Sequence, residues 1–191
     1  CAELWPCDPL VDEREDRARL LGIHPVDVRR ESIRIQLAER ASSLDAETPA
    51  MPDLVEEVTH LVECPVVIAA EFDVELLTLP TRLLVESMKV HQRVFPLFKD
   101  GSLINKFLVF TNHPYALDAD VAATIAKGNA KVLAARFHDA KFFYAEDQKA
   151  SLVTHGENLK DMRWIRGGGT MADKAVRIGE LAARIAPLVD A

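Results

Sequence analysis

An α+β fold is predicted, with helices packed on a small mixed or antiparallel sheet and a helical C-terminal segment. Three observations lead there. A β-branched run, Val66-Val67-Ile68, begins right after Pro65, whose missing N–H suits the start of a buried strand. Two further strand-like runs, around Val94 to Phe98 and Leu108 to Phe110, flank the turn residues Lys99-Asp100-Gly101-Ser102 and read as a hairpin. Elsewhere apolar residues recur at three- and four-residue spacing, the period of an amphipathic helix.

The elements follow in order. Leu4 to Leu21 is rich in charge and broken by Pro6 and Pro9, and predicts an irregular lead-in with a short helix. Pro25 suits a first helical turn, and Val28, Ile33, Ile35, Leu37 and Leu44 interleave with charged residues to predict a helix over Val26 to Leu44. After a proline-bearing linker, Leu54, Val55, Val58, Leu61 and Val62 mark one face of a helix over Asp53 to Glu63. Thr81 to His91 reads as a helix leading into the hairpin. Beyond Pro114, an alanine-rich helix over Leu117 to Lys127 is expected to end at Gly128, with Asn129 capping a second helix to about Gln148. A last helix runs from Thr170 to about Val189, with Ala172, Val176, Ile178, Leu181, Ile185 and Leu188 as expected core positions. Thr170 is its expected N-cap, and Gly167-Gly168-Gly169 a flexible connector before it. Three regions result: a lead-in over 1–24, the α+β region over 25–150 and a helical segment over 151–191.

A chain of 191 residues with 49% apolar content has enough material for a real core. No apolar run approaches the roughly 20 residues of a membrane span, so a soluble, cytoplasmic protein is expected. Cys1 stands where Met would begin a reading frame, and a start that has been cut back or processed is expected. Cys1, Cys7 and Cys64 show no CxxC spacing, which speaks against a disulfide framework or a zinc ribbon and for a reducing compartment. Cys64, beside Pro65, is expected in an apolar setting that leaves its thiol inert. The net charge of −7 argues against a general nucleic-acid coat. It is unevenly spread: residues 1–80 hold 7 basic and 18 acidic side chains, while residues 81–150 hold 10 and 7. A phosphate-bearing partner would therefore meet the middle or end of the chain.

Two runs stand out: Met88-Lys89-Val90-His91-Gln92-Arg93-Val94-Phe95-Pro96, and the stretch from Gly128-Asn129 through Ala135-Arg136-Phe137-His138-Asp139-Ala140-Lys141-Phe142-Phe143-Tyr144. In the first, Lys89, His91, Gln92 and Arg93 place donors at a helix end, within reach of phosphate or ribose oxygens. The same residues could simply complement the helix dipole and satisfy its last carbonyls. In the second, Lys127, Asn129, Lys131, Arg136 and Lys141 accompany a helix. There Val132, Leu133, Phe137, Ala140 and Phe143 or Tyr144 have core spacing, so most aromatics read as packing rather than a base-stacking platform. Arg136 and Asp139, three apart, can pair on the surface. No catalytic residue is assigned. His138-Asp139 lacks the further His and Asp that a metal phosphohydrolase needs, no GxxxxGK[ST] follows the glycines, and no GxSxG elbow is present.

These runs resemble the MKxHQxxFP and GNxxVLxARxxDAxFFY signatures of the bacterial glycyl-tRNA synthetase beta subunit. Leu54 to Glu63, Pro65-Val66-Val67, Leu79-Pro80 and Glu146-Asp147 extend the resemblance in order over about residues 25–185. Cys64, Arg93-Val94, His138 and Gly167-Gly168-Gly169-Thr170 depart from the usual residues. The resemblance implies an internal piece of that subunit: a B3/B4-like module, similar to that of the phenylalanyl-tRNA synthetase beta chain, leading toward an HD-like domain. It implies a share in attaching glycine to its tRNA through tRNA binding and subunit assembly. Catalysis, ATP and Mg are then expected on the alpha subunit of a heterotetramer, with no cofactor held by this chain. Its implied partners are that alpha subunit and glycine tRNA. A stand-alone tRNA-editing deacylase and a purely structural interaction domain are the alternatives.

Overall fold

The computed structural model describes residues 24–113 and 115–189. The expected short helix within Leu4 to Leu21, and Cys1 and Cys7, lie outside them. Two compact units are present, one up to Ala140 and one from Lys141.

In the first unit, helix α1 (Val26–Ser43) and helix α2 (Pro52–Leu61, with proline in its first turn) form one layer. Strands β1 (Val66–Glu71), β2 (Phe95–Lys99) and β3 (Ser102–Thr111) form an antiparallel sheet in the order β1-β3-β2. Of the mixed and antiparallel sheets expected, the antiparallel one is found. Both faces of the sheet are covered, as the near-continuous apolar runs require. Phe95, Leu97, Leu108 and Phe110 pack with Ile33, Leu37, Leu54 and Val58 of the two helices. On β3 the alternate residue Phe107 is also fully buried, and it stacks with Phe72 just after β1. The hairpin turn has Asp100 at φ 50° and Gly101 at φ 74°, the two positive values that a tight two-residue connection between twisted strands demands. The strand after it is longer than expected, because alternation runs back from Leu108 through Ile104 to Ser102.

Two predicted helices are corrected. The segment expected to be helical over Thr81 to His91 is α-helical only as α3 (Thr81–Ser87) and continues as a wider π turn over Met88–Gln92. Arg93 closes that turn at φ 49°, and Val94 N donates to Met88 O at 3.2 Å. This winding keeps both Met88 and Val94 buried. The break expected at Gly128 does not occur: α4 (Ala119–Asp147) runs straight through it. A mid-helix glycine costs only about 1 kcal/mol relative to alanine, and the burial of Leu133 and Phe137 just beyond it outweighs that cost. Asn129 is accordingly no N-cap; its Nδ2 donates to Ile125 O within the helix at 2.9 Å. The helix start is set instead by Asp118, whose Oδ1 accepts from Asp120 N and Val121 N.

The second unit holds α5 (Leu152–Glu157) and α6 (Met171–Ile185). Thr170 caps α6 as expected, within a reciprocal capping box with Asp173. The glycines before it belong to an ordered loop rather than a flexible connector: Trp164 N donates to Gly169 O and Met171 N to Met162 O, while Lys174 Nζ sits 3.2 Å above the Trp164 ring centre. Gly167 and Gly169 take φ of 79° and 77°, which the turn requires. The expected core positions of α6 are not buried; Ala172 is half-buried and Val176, Ile178, Leu181, Ile185 and Leu188 are exposed.

Candidate nucleic-acid interface

The residues predicted to reach RNA sit on two elements. Lys89, His91, Gln92 and Arg93 occupy the π turn and its closing residue. The turn is fixed by Arg93, whose Nε donates to Glu57 Oε1 of α2 at 2.7 Å. Arg93 is therefore engaged in tying two elements together, while His91 projects into solvent and Lys89 and Gln92 are half-buried. Among the described residues no hydrogen bond engages the side chains of Lys89, His91 or Gln92, so the helix-capping alternative for His91 and Gln92 is not what the turn uses.

The second group lies on α4, which is anchored through one stripe. Leu133 and Phe137 are fully buried, and Phe137 meets Phe72 edge to face with ring centres 5.0 Å apart. A helix advances roughly 100° per residue, so Lys127 and Lys131 share one exposed side, and Arg136, about half a turn from Lys127, faces another way. Lys127, Lys131, Arg136 and Lys141 are all exposed. The surface pair expected between Arg136 and Asp139 does not form among the described residues. Val132, expected in the core by spacing, is exposed; of Phe143 and Tyr144, one of them expected there, Phe143 is exposed and Tyr144 half-buried, and Phe142 and Phe143 contact each other edge to face.

Lys127 also lines a hollow of about 390 Å³ between the sheet and α4, with Lys106, Glu71, Ala70, Ala126 and Ala130. Lys106 is not among the predicted residues because the sequence predicts the strand only over Leu108 to Phe110; the antiparallel register of β3 on β1 places it opposite Glu71. A wider groove of about 840 Å³ lies between the end of α1, the 46–52 linker and β2, floored by Leu37, Ala41, Met51 and Val55. At its rim Lys99 Nζ bonds Asp45 Oδ2 at 2.7 Å, which holds the Asp45 carboxyl below the usual range and the Lys99 ammonium above it. None of the nine predicted residues lines this groove.

The acidic layer is internally organised. Arg30 grips Glu56 with two hydrogen bonds, at 2.7 and 2.8 Å, and His60 adds a third at 3.0 Å. The guanidinium, and then the imidazole, lower the Glu56 carboxyl to about 2. Cys64 is exposed, not in the apolar setting expected, and its backbone N–H donates to Asn112 Oδ1. His138, also exposed, bonds Ala134 O through Nδ1 at 2.7 Å, and no cluster of three metal-ligating side chains occurs among the described residues. No helix among them is long and apolar enough to cross a membrane.

A family profile described as "Glycyl-tRNA synthetase beta subunit" matches residues 23–191. The chain belongs to the glycyl-tRNA synthetase beta subunit family. It is 42% identical over 158 residues to the glycine–tRNA ligase beta subunit of Clostridioides difficile, covering 82% of this chain and 22% of that protein. It is 38% identical over 191 residues to the Coxiella burnetii subunit, covering 97% and 27%. With the Bacillus subtilis subunit the identity is 36% over 173 residues, covering 88% and 25%. The chain thus spans about a quarter of the length of these beta subunits. The family resemblance drawn from the two runs therefore holds. The π turn and α4, which carry those runs, are among the described elements of this beta-subunit stretch.

Proposed function

We propose that this chain contributes tRNA binding and subunit assembly to a glycine–tRNA ligase whose ATP-dependent catalysis resides on a separate alpha subunit. The observation that carries the reading is α4: burial of Leu133 and Phe137 turns Lys127 and Lys131 to solvent, without an ion-pair partner among the described residues. Exposed lysines of this kind neutralise phosphates as point charges and release counterions on binding. The relatives are named beta subunits of a ligase acting on tRNA, which supports a phosphate-bearing partner and an alpha subunit.

The test is binding of labelled glycine tRNA at rising salt, for the unaltered chain and for Lys127→Ala/Lys131→Ala. Binding that weakens steeply with salt, and a shallower salt slope in the double variant, are expected. No binding at low salt overturns the RNA reading and leaves an interaction domain. For the division of labour, glycyl-tRNA formation is measured with the alpha subunit present and absent; product made by this chain alone overturns it. Hydrolysis of mischarged tRNA by the chain would favour the deacylase instead.

A further inference from the structure

None of the described residues from 141 to 189 is buried, although this unit has a capped helix, an ordered loop and many large apolar side chains. The apolar residues of α6 are not scattered. Ile178, Leu181 and Ile185 are 56%, 54% and 44% exposed and recur at intervals of three and four, with Leu188 continuing the row just past the helix. Asp173, Glu180 and Arg184 flank this row along one edge. A single solvated helix gains nothing from such segregation, and a contiguous apolar stripe rimmed by polar residues marks a surface that is covered in the working molecule. The alternating three- and four-residue spacing is what a second helix needs to interdigitate along its length.

We propose that the Ile178–Leu181–Ile185 stripe is the seat of another helix, supplied by the polypeptide that full-length beta subunits carry beyond the stretch matched here. This occupant is favoured over a second copy because the relatives are about four times as long as the matched region, 22% to 27% of each being covered. A helix of the same subunit is present at high effective concentration, so it needs no separate association step. The inference rests on family membership and not on the RNA reading, so either can fail without the other.

The experiment places one thiol on each side of α6, Leu181→Cys or Glu180→Cys, in a background with Cys1, Cys7 and Cys64 changed to Ser. Maleimide labelling is followed in this chain and in a chimera where it replaces the matched stretch of the Clostridioides difficile subunit. At position 181, labelling in the chimera should be slower by roughly tenfold or more, while position 180 labels at the same rate in both. Equal rates at position 181 overturn the proposal. So does labelling in the short chain that slows as its concentration rises, which makes a second copy the occupant. Should the chimera not fold, amide exchange of the corresponding helix in the intact Clostridioides difficile subunit decides: slow exchange there against fast exchange here supports the seat, and fast exchange in both overturns it.

Discussion

Gln36 of α1 clasps the backbone at the start of β1: its Nε2 donates to Pro65 O at 2.8 Å, and its Oε1 accepts from Val67 N at 2.9 Å. One amide thus satisfies a donor and an acceptor that the sheet edge leaves open. Gln36→Leu keeps the side chain's bulk and removes both bonds, and should lower stability by about 1–3 kcal/mol. Urea unfolding followed by circular dichroism measures it; an unchanged midpoint would mean that water replaces the clasp.

Phe137→Ala should be far more damaging than changes at its exposed neighbours. It empties the site where α4 meets Phe72, and an aromatic-to-alanine change in a core costs about 3–5 kcal/mol. Phe142→Ser, at an exposed position five residues on, should stay within about 0.5 kcal/mol in the same unfolding assay.

Asp100 and Gly101 make a turn in which both residues have positive φ. Open space surrounds the missing Cβ of Gly101, so Gly101→Ala meets no clash and reports backbone strain alone. A loss of about 1–2 kcal/mol is expected, from the left-handed penalty of an L-residue. Gly128→Ala, in helical backbone with equally open surroundings, should instead gain up to about 1 kcal/mol.

The Arg30–Glu56–His60 cluster should make stability acid-sensitive in a defined window. The Glu56 carboxyl falls from an ordinary value near 4.5 to about 2 in the folded chain, first through Arg30 and then through His60. A depressed acid contributes stability that is full above its ordinary value and is lost as pH falls toward 2. The difference in urea midpoint between the unaltered chain and Glu56→Gln should therefore shrink from pH 5 downward. Because the groups are exposed, high salt should shrink it as well.

Much of this was legible because it is local. Pro65 before a β-branched run, Lys99-Asp100-Gly101-Ser102 between apolar runs, and Thr170 three residues before Asp173 each fix their element by neighbouring residues. What was misread depended on distant partners. Gly128 reads as a stop until Leu133 and Phe137 are seen to hold α4 on the sheet. Met88 to Gln92 reads as ordinary helix until Arg93 is seen to need Glu57, thirty-six residues away in sequence. Of the candidate interface, the identity of the lysines was readable but their division between sides of α4 followed only from knowing which stripe is buried. The apolar spacing of α6 is plain in the sequence, but it reads as core there, whereas among the described residues these positions are exposed.

The capping box at the head of α6 bears on the order of events during folding. Its contacts are all short in sequence: Thr170 with Asp173, Lys174 with Trp164, Arg177 with Gly168. Such contacts close small loops and so need little entropy loss before they form. Nucleation, the unfavourable step for any helix, is thus assisted from within by residues already adjacent on the chain. This turn can therefore take shape on a growing polypeptide as soon as Arg177 has been made, without waiting for any contact distant in sequence.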